Sequence, residues 1–129
     1  MLGFSAVRGV CLALALLAAG CAQRQGGEIE HAVFVWLNRP GNAEDCAALV
    51  GTAEGLRKET GLFDSLRTGG PVPSERPVVD DSFDMAMIMR FANREKLEAF
   101  ENHPAHRKAR KEVLTPLARK VVVYDVAVE

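Results

Sequence analysis

The sequence predicts an α+β domain of the ferredoxin-like kind, β-α-β-β-α-β, with a four-stranded antiparallel sheet. Three observations predict it. Four short apolar or alternating runs enclose two stretches of helical periodicity, in that order. Turn formers such as Asn38-Arg39-Pro40-Gly41 and Gly69-Gly70-Pro71 separate the runs. A length of 129 residues suits a single domain.

Ahead of the domain, residues 1–20 read as a signal peptide. Arg8 is the only charge before the almost wholly apolar run Val10 to Ala19, which is shorter than the about 20 residues of a bilayer-spanning helix. Leu17-Ala18-Ala19-Gly20-Cys21 resembles a lipobox, with small residues before the cut and a thiol to take the lipid. An ordinary signal peptide cut near a cysteine is the alternative. On the lipoprotein reading Cys21 carries the lipid, with palmitate-type acyl chains, and residues 21–27 form a polar, glycine-ended tether. The domain is then residues 28–129, held at the cell envelope and facing the periplasm or the exterior. Ala22 is not the aspartate that retains some lipoproteins in the inner membrane, which favours the outer one where there is one.

Removing residues 1–20 takes away Arg8 and no acid. Lys+Arg falls from 16 to 15 against 17 Asp+Glu, a net charge of −2. That balance suggests neither nucleic acid nor a polybasic membrane surface as a partner. Cys11 leaves with the signal and Cys21 is lipidated, so Cys46 is the one thiol left and no internal disulfide is available. Its helical spacing gives it an apolar packing role, a reactive thiol being the other reading.

Each element then has its own signal. Ile29 to Leu37 is a strand apolar on both parities. Asn42 caps a helix over about 43–59, with Glu44 and Asp45 in its first turn, Cys46, Leu49, Val50, Ala53 and Leu56 at helical spacing, and Gly61 closing it. A short strand is expected over Leu62 to Thr68, and Val72 to Ser82, with Pro73 and Pro77, is a loop. Phe83 to Phe91 is the third strand, with Phe83, Met85, Met87, Met89 and Phe91 on one face. The methionine row is either packed core or the adaptable wall of a pocket. Asn93 caps a second helix carrying Leu97 and Phe100; Pro104 opens a fresh turn, Ala105, Ala109 and Val113 form an inner face, and Pro116 marks the end region. Lys120 to Val128 is the last strand.

Two helices cover only one face of such a sheet. The first, third and last strands are apolar on both faces, so something else must bury the second. A second copy of the sheet does this most simply, giving a homodimer with an isologous contact.

The chain also resembles the stress-responsive dimeric A/B barrel (Dabb) family. The resemblance rests on Glu30-His31-Ala32-Val33-Phe34, Asp84-Met85-Ala86, the run Phe91 to Phe100, His103-Pro104-Ala105-His106 and Val123-Tyr124-Asp125, and covers about residues 28–128. It implies a ferredoxin-like fold, two sheets facing each other as a dimeric α/β barrel, and in some members a cavity between sheet and helices. Some members are stress-induced proteins. Others are cofactor-free enzymes, polyketide cyclases among them. In the plant cyclase the acid–base work falls to the second histidine of His-Pro-Ala-His and a preceding tyrosine. His106 matches that histidine, Phe100 replaces the tyrosine, Met85 replaces a further pocket histidine, and His31 matches a first-strand histidine.

His106 and His31 are therefore the candidate catalytic residues; an imidazole titrates near working pH. The bland alternative for His106 is a bond to a backbone carbonyl and packing on the sheet. Met85, Met87, Phe100 and His103 are the expected pocket residues, His103 serving also as a cap. A zinc site on His31, His103 and His106 is disfavoured by Pro104 and by the lack of a Glu or Cys at ligand spacing, so no metal and no cofactor is expected. The basic run Arg107-Lys108-Ala109-Arg110-Lys111 reads as a solvated helix face. The expected function is an envelope-anchored stress-response or small-molecule-binding module that takes a small apolar or aromatic ligand. A cyclase- or monooxygenase-like enzyme using His106 and a purely structural envelope protein are the alternatives.

Overall fold

The computed structural model describes residues 27–129. The expected signal peptide and the lipidation expected at Cys21 lie outside the described residues, and among those described no helix is long and apolar enough to cross a membrane. Four strands, β1 (Ile29–Leu37), β2 (Ser65–Gly69), β3 (Met85–Phe91) and β4 (Ala118–Ala127), form one antiparallel sheet in the order β2-β3-β1-β4. The fold is the α+β, ferredoxin-like one. The longest helix is α1 (Ala43–Thr60). The helical connection from β3 to β4 is broken into α2 (Arg94–Asn102), α3 (Pro104–Ala109), a π-helical turn (Arg110–Leu114) and the single turn α4 (Thr115–Leu117).

Local chemistry sets the ends of α1. The Asp45 amide donates to Asn42 Oδ1 at 2.9 Å. Gly61, at φ 60°, takes the left-handed conformation a side chain would resist, and its amide reaches the Arg57 carbonyl. Leu49, Ala53 and Leu56 are the stripe that α1 buries. Asp45 is buried too, and both of its oxygens accept from the Arg39 guanidinium.

The core lies between the helices and the inner sheet face. Val33, Val35 and Leu37 of β1 meet Met85, Met87, Met89 and Phe91 of β3, which are all buried. Phe63, Phe91 and Phe100 pack ring to ring at 5.3–5.5 Å, which pins α2 to the sheet.

Three expected boundaries move. The segment from Leu62 to Asp64 precedes β2 and does not belong to it: Phe63 turns into the core while the Asp64 amide reaches the Arg90 carbonyl. Strand β3 starts at Met85, two residues later than expected. The Asp84 carboxylate there accepts from the Leu37 and Gly41 amides, both at 2.7 Å, tying this strand start to the β1–α1 turn. Phe83, freed from strand alternation, leaves the methionine row and packs on Phe34 and Trp36 of the opposite face. Strand β4 begins at Ala118, with an irregular step opposite Trp36 and Leu37.

That opposite face carries no helix. Phe34, Tyr124, Val126 and Phe83 lie on it, and Trp36 is closed over by Ser82, which accepts from Nε1 at 2.9 Å, and by the Lys120 ammonium 4.3 Å above the ring. Its other end is charged: Arg67 pairs with Glu30, and Arg90 with Asp64 and Glu28.

Candidate functional site

The inner face is closed over β3 and open over β4. Val121 and Val123 share the parity of Val33 and Val35 through the β1–β4 register, yet are 38% and 45% exposed. Where the helices part from the sheet a cavity of about 60 Å³ lies beneath α1, α2 and α3. It is lined mainly by apolar groups (Val33, Leu49, Leu56, Met87, Met89 and Phe100), with His31, Thr52, His106 and Arg110 as its polar contributors. A much broader cleft of about 840 Å³ runs beside it along β4. His31, Val33, His106, Arg110 and Leu114 line both, so the cavity and the cleft meet there.

His31 is placed by strand parity. It stands on the inner face of β1 directly opposite Asp125 of β4, is only 6% exposed, and its Nδ1 lies 2.5 Å from Asp125 Oδ1. An ionised carboxylate only accepts, so Nδ1 carries the proton and Nε2 is left as the second ring position. The ring meets Phe91 edge-on at 5.9 Å. Thus a partner 94 residues away in sequence orients the histidine.

His106 sits in the first turns of α3, stacked on Phe100 at 4.2 Å. Its Nδ1 donates to the Glu101 carbonyl at 3.4 Å, a long bond. Burial holds its pKa below the ordinary value; the Glu101 bond works against this, and Arg110, His31 and His103 add to the depression. At neutral pH the ring is therefore the uncharged form, able to accept a proton at Nε2.

Of the expected pocket residues, Met87 and Phe100 line the cavity. Met85 is buried farther along the row and lines neither cavity nor cleft. His103 also lies off both: it caps α3, its Nδ1 accepting from the Ala105 amide at 3.1 Å. With Nδ1 so committed, it does not join His31 and His106 as a third ligand. Among the described residues the grouping with metal-ligand proximity is His31, Glu101 and Asp125, whose donor atoms lie within 4.8 Å of one another. Its histidine already spends Nδ1 on Asp125, and both carboxylates are exposed.

Sequence reasoning missed Asp125, Arg110 and the π turn. Asp125 was legible in one respect: it is the polar residue on the inner parity of an otherwise valine-rich strand, as His31 is in β1. The π turn is visible only in the backbone. The Thr115 amide donates to the Arg110 carbonyl five residues back, and Pro116, with no amide to give and a ring that crowds the preceding turn, follows at once.

An antiparallel β2-β3-β1-β4 sheet, helices on one face and a histidine-bearing cavity between them define a ferredoxin-like α+β domain. The chain matches the stress responsive A/B barrel domain over residues 29–128 and belongs to that family. Among solved structures it is similar to a Dabb family protein from Mesorhizobium loti (TM-score 0.64, 16% identity, 80% of this chain and 98% of that one). It is also similar to a dimeric ferredoxin-like protein of unknown function from Thermobifida fusca (0.62, 17%, 81% and 93%). A third is hydroxynitrile lyase from Passiflora edulis (0.65, 18%, 81% and 95%). These relatives consist almost entirely of the matched domain, so the domain is a self-sufficient folding unit in them. No curated protein matches the chain.

Proposed function

We propose that the protein is a homodimeric binding module that holds a small apolar or aromatic molecule between helices and sheet, tethered to the cell envelope through lipid on Cys21. The cavity under His106 carries this reading: it is apolar over most of its wall and has two histidines at one end. The dimer is supported by the helix-free sheet face, where Tyr124 and Val126 are 60% and 54% exposed, and by the dimeric relative from Thermobifida fusca. A stress-response role and residence in the outer membrane belong to the same proposal.

Native mass spectrometry of the soluble domain, residues 26–129, tests it. A dimer mass with an added small molecule is the expected result. A bare dimer moves weight to a structural envelope role, and a bare monomer removes the dimer. The anchor is tested separately, by palmitate labelling of the full chain in cells: label lost in Cys21→Ala is expected, and label retained would end the lipoprotein reading.

The second reading is a cofactor-independent enzyme, favoured by the neutral His106 facing the same cavity as an Asp125-oriented His31. The hydroxynitrile lyase neighbour makes hydroxynitrile cleavage a reasonable first assay. Turnover abolished in His106→Ala with an unchanged circular dichroism spectrum would support it, and turnover that survives would remove His106 as the base.

A further inference from the structure

The proposed binding site has a chemical polarity along its length. At the closed end are leucine, methionine and phenylalanine side chains. At the open end is Arg110, which lines both cavity and cleft, is exposed, and has no carboxylate partner among the described residues. The arginines elsewhere on the sheet and the β1–α1 turn are engaged: Arg39 with Asp45, Arg67 with Glu30, Arg90 with Asp64 and Glu28. Arg107 and Arg119 line the same cleft, with Arg107 donating only to the neutral Asn102 amide oxygen. Two carboxylates oppose these three guanidinium groups, Glu101 and Asp125, and Asp125 is already bonded to His31.

The backbone makes the same point independently. Arg110 opens the π turn and Leu114 closes it, and both line cavity and cleft. A π turn adds one residue to the hydrogen-bonded ring of the helix and is frequent at functional sites. Here it sets a cation and an apolar side chain at the junction.

Resting on the binding reading above, we propose that the ligand is a short amphiphilic anion: an apolar tail in the narrow cavity and a carboxylate head at the cleft, held by Arg110. The tail length follows from volume. At roughly 60 Å³, against the about 10–15 Å³ that a single water needs, the cavity suits a short alkyl chain or one ring and not a long acyl chain. A guanidinium is the side chain best shaped for a carboxylate, offering two parallel N–H donors. The uncharged His106 leaves the cavity itself free of a buried charge.

The test uses three probes with one tail and different heads: hexanoate, 1-hexanol and hexylammonium. Each is titrated into the 26–129 domain at about pH 7.5 and low salt, followed by the amide NMR signals of Arg110 to Leu114. Hexanoate is expected to bind about tenfold tighter than hexanol, the scale of one charge-assisted bond. Arg110→Gln is expected to bring hexanoate down to hexanol while leaving hexanol unchanged. Arg110 is exposed, so this variant keeps the fold, which its own amide spectrum verifies. Equal binding of hexanoate and hexanol, a preference for hexylammonium, or an undiminished hexanoate preference in Arg110→Gln would each overturn the proposal while leaving the binding reading intact. Binding of none of the three would remove the binding reading, and this proposal with it.

Discussion

The two faces of the sheet are built from the same strands with the same residue types, yet they behave as different materials. On the inner face Val33, Val35, Met87 and Phe91 are buried under α1 and α2. On the outer face Phe34 and Tyr124 meet edge-on at 6.0 Å with no layer above them, and Val126 beside Tyr124 is more than half exposed. Composition and parity are alike, so what separates the faces is the number of helices a hundred-residue chain can supply. The inner face is a finished core with one gap over β4, and that gap is the candidate site. The outer face is an apolar surface without a covering layer, which is why we propose it as the dimer contact.

Substitutions that strike the two faces equally separate their roles. Phe91→Ala removes a fully buried ring from the aromatic cluster and is expected to cost about 3–5 kcal/mol in urea unfolding. Tyr124→Asp is expected to leave the fold assembled but to weaken dimerisation by about a hundredfold, as a charge at the middle of an apolar interface does; sedimentation at micromolar concentration reads it. An unchanged dimer in that variant would show that the outer face is not the contact. Asp125→Asn tests the open side of the inner face, over β4. It exchanges the charge-assisted bond to His31 for a weaker one and is expected to cost about 1 kcal/mol, reduced by the partial exposure of Asp125; thermal denaturation would detect it.

The smallest effect concerns pH. His106 has a folded pKa below its ordinary value near 6.5, through burial first and then Arg110, His31 and His103 around it. The unfolded chain therefore takes up this proton first as pH falls. The stability tied to His106 is full above about pH 6.5, declines below it, and stops declining once the folded pKa is passed. His106→Asn is expected to flatten the part of the unfolding-midpoint change between about pH 7.5 and about pH 5.5 that this residue contributes. A variant with the same pH dependence as the parent would show that the imidazole is as solvated folded as unfolded.

The element order was legible because periodicity is a local property. Asn42, Gly61 and Asn93 mark helix ends by chemistry acting within a few residues. Phe83 was misplaced on the methionine face because parity holds only inside a strand, and the Asp84 carboxylate ends that strand through amides 43 and 47 residues away. The site was half legible for the same reason. His31 and His106 stand out as residue types, and His103 declares itself a cap by preceding Pro104. The Asp125 contact needs the β1–β4 register, and the role of Arg110 needs the extra residue in the π turn. Neither is written in any short window of sequence.

His31 is the third residue of β1, and Asp125 lies two residues before the end of β4 at Ala127; the next amide, that of Val128, donates to the Glu28 carbonyl. The histidine end of the cleft is thus the end from which the tether departs. Cys21 stands six residues before Gly27, and six residues of chain reach at most about 20 Å. With the lipid that we propose on Cys21, the histidine end of the site would stay within about that reach of the bilayer surface. The solvent that matters to such a site is a two-dimensional one: it would sample what escapes from the membrane, at the concentration the membrane maintains, before it samples the surrounding fluid.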